Sequence, residues 1–273
     1  MAELRTFRVS DFEVGGADLT IIAGPCLAES RDLCLEVAEK MKALCANYGF
    51  NYIFKASFDK ANRTSADSTR GFGMDDGLSR LLAVKETFGL PVTTDVHLPD
   101  QCAPVAEIVD ILQIPAFLCR QSDLLEAAAI TNRPVNVKKG QFLAPHDTQN
   151  IVAKLQKFGA VGTMLCERGT TFGYNTLIVD MPGLEVMRSF GVPVCFDATH
   201  SAQRPGGAGT STAGNRESIP AMVRSAVAVG IDALFVEVHP DPAHALSDAA
   251  TQWPLDQAES LLATVRKIRD AVR

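Results

Sequence analysis

Lys55 to Ser65 reads KASFDKANRTS, an apolar run (NYIFK) that breaks into a polar loop. Lys55, Lys60 and Arg63 stand there beside the hydroxyls of Ser57, Thr64 and Ser65, in a chain whose formal net charge is −6. A point-charge ammonium, a forked guanidinium and rotatable hydroxyl donors are what recognition of a phosphoryl group requires. The plain alternative is a solvated surface loop. Lys138 in VNVKKGQFLAP and Arg168 in CERGTTFGYN each follow another apolar run. With Lys55 and Lys60 they would make an anion site, or else they are surface charges. Lys139, by strand alternation, points away from Lys138.

A second set could hold a metal. Cys26 follows an apolar run in AGPCLAES, His200 lies in CFDATHSAQRPGG, Glu237 in FVEVHP and Asp248 in HALSDAATQWPL. A thiolate, an imidazole and two carboxylates suit zinc, iron or manganese. Their wide separation proves nothing by itself, and neither a CxxC nor an HExxH motif is present. Each also has an ordinary reading: a buried small hydrophobe, a polar cap, a salt-bridged acid. Asp95, in TTDVH, is a candidate for a hydroxyl or water contact and for proton transfer. His97 and His239 also end apolar runs. The remaining cysteines sit in apolar stretches and read as buried.

These residues need elements that bring them together. Eight short runs, mostly apolar on both faces, read as buried parallel strands: Leu19–Pro25, Asn51–Ser57, Pro91–His97, Ile111–Pro115, Pro134–Lys139, Val161–Glu167, Val192–Thr199 and Ala233–His239. Amphipathic stretches alternate with them: 30–48, 78–88, 101–108, 122–130, 147–158, 183–190, 217–229 and 255–272. Ser30 and Asp147 are expected N-caps, and Gly49, Gly89, Gly159, Gly191 and Gly230 expected helix stops. Eight such units predict a (β/α)8 TIM barrel, with a doubly wound sheet as runner-up. Residues 1–18 are expected to form a hairpin closing the barrel's bottom, and residues 1–273 a single domain. In a barrel, chemistry sits at the carboxyl ends of strands, where Cys26, Lys55, Asp95, Lys138, Arg168, His200 and Glu237 fall. The Gly-rich stretch Arg204–Arg216 lacks a P-loop ending and reads as a mobile connection or a lid; 170–175 is a second candidate lid.

The chain has 273 residues, 47% hydrophobic and 21% charged, which suits one large globular domain. Its acidity argues against nucleic acid or an anionic membrane as partner. No apolar run approaches a membrane span of about 20 residues, and the N-terminus does not read as a signal peptide. Seven cysteines without framework spacing suggest reduced thiols in a cytoplasmic protein.

The wording of these motifs resembles the 3-deoxy-D-manno-octulosonate 8-phosphate (KDO8P) synthases. KANRTS after FKAS, GPCLAES, DATHSAQRPGG and SDAATQWPL carry the resemblance, which covers most of the chain. The related 3-deoxy-D-arabino-heptulosonate 7-phosphate (DAHP) synthases usually carry a Pro-Arg-Thr-Ser type loop instead of KANRTS. The resemblance implies condensation of phosphoenolpyruvate (PEP) with arabinose 5-phosphate, for lipopolysaccharide inner-core sugar synthesis. It places Asn62, Arg63 and Thr64 at the sugar phosphate, and Lys55 and Lys60 facing PEP. Lys138 and Arg168 fall to the PEP phosphate with Gln141 nearby, and Gln203, Pro205 and Gly206 to the lid loop. Thr64 stands where serine is more usual. Cys26, His200, Glu237 and Asp248 become ligands of a divalent ion (Mn, Zn, Fe or Co). The metal-independent branch has asparagine where Cys26 stands, so this chain looks like the metal-requiring kind. The segment with Phe117 and Arg120 is implied to reach a neighbouring subunit in a homotetramer, or else Phe117 packs in its own core. The alternatives are a DAHP synthase using erythrose 4-phosphate and a non-catalytic metabolite-binding barrel.

Overall fold

The computed structural model describes residues 3–63, 65, 67–208 and 211–272. Eight parallel strands close into a barrel: β1 (Thr20–Gly24), β2 (Asn51–Lys55), β3 (Val92–Asp95), β4 (Ile111–Ile114), β5 (Val135–Lys138), β6 (Thr163–Glu167), β7 (Val194–Asp197) and β8 (Ala233–His239). Neighbours pair in chain order, and β8 closes the circle against both β7 and β1. Each strand coincides with one of the apolar runs. Helices α1 (Arg31–Asn47), α2 (Met74–Phe88), α3 (Pro99–Ile108), α4 (Ser122–Ala129), α5 (Gln149–Lys157), α6 (Met181–Arg188), α7 (Ile219–Val229) and α8 (Ala258–Val272) alternate with them. This is the (β/α)8 barrel expected from the sequence, not the doubly wound sheet.

Local chemistry explains most boundaries. The Ser30 side chain accepts a hydrogen bond from the Leu33 backbone N–H, capping α1. The glycines expected to stop helices, from Gly49 to Gly230, all have positive φ. Asp147 departs from expectation. It lies inside a 3-10 turn, Pro145–Thr148, that precedes α5, and its carboxylate accepts from the Ala144 N–H instead of capping the helix. Proline at the turn's start already fixes the approach of the chain.

Alternation sorts each strand into an outward and an inward set. Ile21, Leu112, Val137, Leu165 and Leu234 face the helices, whereas Ile22, Ile111, Met164, Cys195 and Ala233 face the axis. The N-terminal hairpin, Phe7–Val9 paired with Phe12–Val14, inserts Phe7, Val9 and Val14 beneath that inner layer. It plugs the barrel's bottom as expected. Gly162 makes room for it, since a Cβ there would lie 2.6 Å from Cγ of Phe7. Gly162→Ala is therefore expected to lose about 1–3 kcal/mol from overpacking. Thermal denaturation would read this, and an unchanged melting temperature would show that the hairpin yields without cost.

One layer up, the same alternation turns polar. Lys55, Asp95, Gln113, Lys138, Asp197 and Glu237 each lie an even number of residues beyond an inward position on their strands, and all are buried. Gly24 keeps β1 tight against β2 there, because a Cβ would overlap the Lys55 carbonyl oxygen.

Two segments differ from their reading as loops. Gln203–Ala208 pairs with Ser211–Gly214 as an antiparallel hairpin, and Thr170–Thr171 pairs with Leu177–Ile178. Asn175, at φ 57°, donates to the Pro205 carbonyl and joins the two hairpins over the barrel mouth.

Candidate active site

The polar inward layer opens into a cavity of about 940 Å³ at the carboxyl end of the barrel. Strand ends supply its floor and the following loops its rim. Lys55, Ser57, Lys60, Asn62, Arg63, Asp95, Lys138, Gln141, Arg168, His200, Gln203 and Asp248 all line it. Thr64 lies outside the described residues. Residues from positions 55 to 248 thus meet in one place because the barrel gathers its strand ends.

The cations are anchored, each lysine with an acid beside it and Arg168 on an amide. Lys55 Nζ donates to Ser57 Oγ at 2.9 Å and to Glu237 Oε1 at 3.1 Å. Lys60 Nζ stands 3.8 Å from the same oxygen. Burial opposes the Lys60 charge, yet Cys26, Glu237 and Asp95 hold its pKa above the ordinary lysine range. Lys138 Nζ donates to Asp197 Oδ2 at 2.6 Å; burial opposes that ammonium too, and Asp197 outweighs it. Arg168 donates through Nη2 to Gln203 Oε1 at 2.7 Å, while burial pulls its pKa down. Its buried Nη1, a donor, and the buried Oε1 of Gln141, an acceptor, have no hydrogen-bond partner among the described residues. A buried polar atom left unmatched is costly, so both point to a ligand or water.

Asp95 organises the other wall. Its carboxylate accepts from Ser57 Oγ and lies 3.0 Å from His97 Nε2. Burial alone would raise its pKa, but the His97 hydrogen bond and the Lys55 charge hold it well below the usual carboxylate range. Arg63 sits at the rim, donating to the carbonyls of Thr69 and Leu246 at 3.0 Å each. Asn62 is exposed beside it. Lys139 faces the opposite way, 3.5 Å from buried Glu167, as alternation predicts.

Beside the cations, Cys26, Glu237 and Asp248 offer ligand atoms that all lie within 4.8 Å of one another. His200 Nε2 stands 3.4 Å from Asp248 and 3.7 Å from Glu237. The His200 Nδ1 side faces Asp197 Oδ2 at 2.8 Å, which aims Nε2 at the carboxylates. Glu237 Oε2 is buried without a hydrogen-bond partner among the described residues. Burial, then Glu237, pushes the Cys26 thiol far above its ordinary pKa. A soft donor, an imidazole and two carboxylates around one orphaned oxygen fit a divalent ion. No helix among the described residues is long and apolar enough to cross a membrane.

Several participants are not singled out by the motifs. Asp197 is fully buried and binds both Lys138 and His200. Strand alternation from Cys195 could have found it. Gln113 lines the cavity floor and accepts from Asn136 Nδ2 at 3.4 Å. Ser247 Oγ lies 2.9 Å from Cys26 Sγ. The Gln252 amide accepts from the Cys26 N–H and donates to the Ser247 carbonyl. Both lie in the SDAATQWPL motif, but their residue types give them no role there, because a loop delivers them. Phe117 is 56% exposed and does not pack in its own core.

The sequence profile of the DAHP synthetase I family matches residues 7–273. A protein of Cyanothece sp. named 2-dehydro-3-deoxyphosphooctonate aldolase is 56% identical over 263 residues, covering 96% of each chain. One of the same name from Dechloromonas aromatica is 53% identical over 269 residues, covering 97% of each chain. Another from Xanthomonas campestris pv. campestris is 53% identical over 266 residues, covering 97% of this chain and 96% of its own. With a match across nearly its full length, the chain belongs to the DAHP synthetase I family.

Proposed function

We propose that this protein condenses PEP with D-arabinose 5-phosphate and water, giving KDO8P and inorganic phosphate. KDO8P is the compound after which the aldolases of Cyanothece and Dechloromonas are named. The observation that carries this reading is the gathering of Lys55, Lys60, Lys138 and Arg168 around one cavity beside a metal-type donor set. Two phosphorylated substrates need such a density of positive charge, and holding them side by side supplies much of the rate gain.

In this scheme C3 of PEP forms a bond to the aldehyde carbon of the sugar, whose oxygen takes a proton to become a hydroxyl. Water adds at C2, and the tetrahedral carbon then expels phosphate by C–O cleavage. Lys138, Arg168 and Gln141 hold the PEP phosphate, and Lys55, Lys60 and Ser57 hold the rest of PEP. Asn62, Arg63 and Thr64 take the sugar phosphate, with Gln203 on the lid side. Asp95, with Ser57 and His97 on its oxygens, orients a hydroxyl or water and passes a proton. Cys26, His200, Glu237 and Asp248 would hold a divalent ion (Mn, Zn, Fe or Co), which when bound polarises the aldehyde or lowers the pKa of a water.

The product is a sugar of lipopolysaccharide inner cores, and phosphorylated substrates of this kind place the enzyme in the cytoplasm. One domain spans residues 1–273. Exposed Phe117, at the cavity rim, and exposed Arg120, three residues on, would meet a neighbouring subunit in a homotetramer.

The experiment is phosphate release from PEP with arabinose 5-phosphate or with erythrose 4-phosphate. Turnover only with the longer sugar supports the proposal. Preference for the shorter one makes the protein a DAHP synthase, and no PEP consumption with either makes it a binding barrel. Arg63→Ala is expected to raise KM for arabinose 5-phosphate by about 10- to 100-fold, as loss of a charged hydrogen bond would. KM for PEP should move far less. Equal effects on both substrates would remove Arg63 from the sugar-phosphate site.

A further inference from the structure

Phe235 is fully buried on β8, one inward position below Glu237. From beneath, its ring joins the apolar plug of Ile22, Ile53 and Cys195. From above it meets charge. Lys138 Nζ lies 4.0 Å from the ring centroid and Lys55 Nζ 5.5 Å. The His200 ring is tilted against it, 5.8 Å between centroids. Lys55 belongs to β2 and Lys138 to β5, so one ring meets two ammoniums delivered from different parts of the barrel.

Gathering several cations in a partly dry cavity is unfavourable until an anion arrives. Asp95, Asp197 and Glu237 offset the charge, but each carboxylate occupies ammonium protons and competes with the ligand. Lys138 already donates to Asp197, and Lys55 places its three protons on Ser57, Glu237 and the Cys26 carbonyl. An aromatic face acts differently. Its quadrupole presents negative density to a cation without taking up a conventional hydrogen bond. The Lys138 protons that Asp197 leaves over stay available on the cavity side. An aliphatic side chain of similar size would fill the space and leave the charge uncompensated.

We propose that Phe235 is a positioning residue of the anion site. Its ring holds the Lys138 ammonium by cation–π attraction, with the more distant Lys55 adding to the same field, so that Lys138 stays aimed at a phosphoryl or carboxylate ligand. Phe235 acts through the lysines and does not touch the ligand. This inference rests on reading the barrel mouth as an anion site, and it is indifferent to which sugar phosphate is used.

The test replaces Phe235 with mono-, di- and trifluorophenylalanine. Successive fluorines drain the ring's quadrupole while nearly preserving its shape. Inorganic phosphate is the probe, and its Kd is measured by titration calorimetry on the folded protein. Kd should rise stepwise along the series, reaching roughly tenfold with the trifluoro ring, at an unchanged melting temperature. A ring that only packs would not give that graded response. Phe235→Leu, where it folds, should bind phosphate no better than the trifluoro protein. A flat series, or a parent protein without affinity for phosphate, overturns the inference. Failure of the proposed reaction is read separately, from phosphate release by the parent protein with PEP and arabinose 5-phosphate.

Discussion

Cys26→Ala is expected to weaken the proposed divalent-ion site, with affinity falling roughly a hundredfold or more. The sulfur is one corner of a triangle with Glu237 and Asp248 whose atoms lie within 4.8 Å of one another. Burial is the main reason the thiol keeps its proton, with Glu237 and Asp248 adding to it and Lys60 and Lys55 opposing. An arriving cation reverses that balance and expels the proton. Metal uptake should therefore release a proton and weaken as the solution is acidified. Metal content after dialysis, and calorimetry in two buffers of different ionisation heat, would show both effects. Chelation should abolish phosphate release, and manganese should restore it. Cys26→Asn should retain less metal yet keep partial activity, because a neutral amide tolerates the buried site without an ion. If Cys26→Ala retained metal as tightly as the parent, the assigned ligands would be wrong. Activity surviving exhaustive chelation would keep the reaction and make Cys26 a bystander.

Much of this site is legible from two regularities. Parallel strands buried on both faces are written as short apolar runs, and their inward positions recur every second residue. Lys55, Asp95, Lys138 and Glu237 obey both rules, and Arg168 continues the inward set of β6. Asp197 obeys them equally, in CFDATH, but the more conspicuous His200 beside it draws the chemistry. Its partners become visible only when β5 and β7 are brought face to face.

Loops follow no such period. Asp248 adopts φ 47°, a left-handed conformation unusual outside glycine, and from there its backbone carbonyl accepts from the Thr251 and Gln252 N–H groups. That turn carries Ser247 and Gln252 to Cys26 across more than two hundred residues of sequence. Side-chain types alone do not encode such a path. Glycine content misleads in the same way at Arg204–Arg216. Its glycines suggest a loose connection, whereas Gly206, at φ 70°, belongs to a hairpin strand.

Asp197→Asn is expected to be the most damaging single substitution in the cavity floor. Its Oδ2 accepts from Lys138 Nζ at 2.6 Å and lies 2.8 Å from His200 Nδ1. Its Oδ1 accepts from the His200 N–H at 2.9 Å, which starts the short helix Ala198–Ser201. Asparagine keeps the shape but removes the charge and turns an N–H₂ group toward existing donors. The Lys138 ammonium is then left buried without its counter-charge, a loss of about 3–5 kcal/mol. In a chain of this length that lowers the melting temperature by roughly 10 °C. Phosphate release should fall roughly a hundredfold as Lys138 and His200 lose their aim. The pH dependence fixes the sign. Burial would raise the Asp197 pKa, but His200 and Lys138 hold it far below the usual carboxylate range. Its stabilisation is therefore complete above the unfolded aspartate pKa of about 3.9 and is lost as pH falls through the folded value. Because Asp197 also raises the His200 pKa against the opposing pull of burial, the gap in stability between parent and Asp197→Asn should widen as pH falls through the histidine range and close only in stronger acid. Urea denaturation across that range measures it. A gap that shrank near neutrality instead would mean that Asp197 is not the charge holding Lys138 and His200 in place.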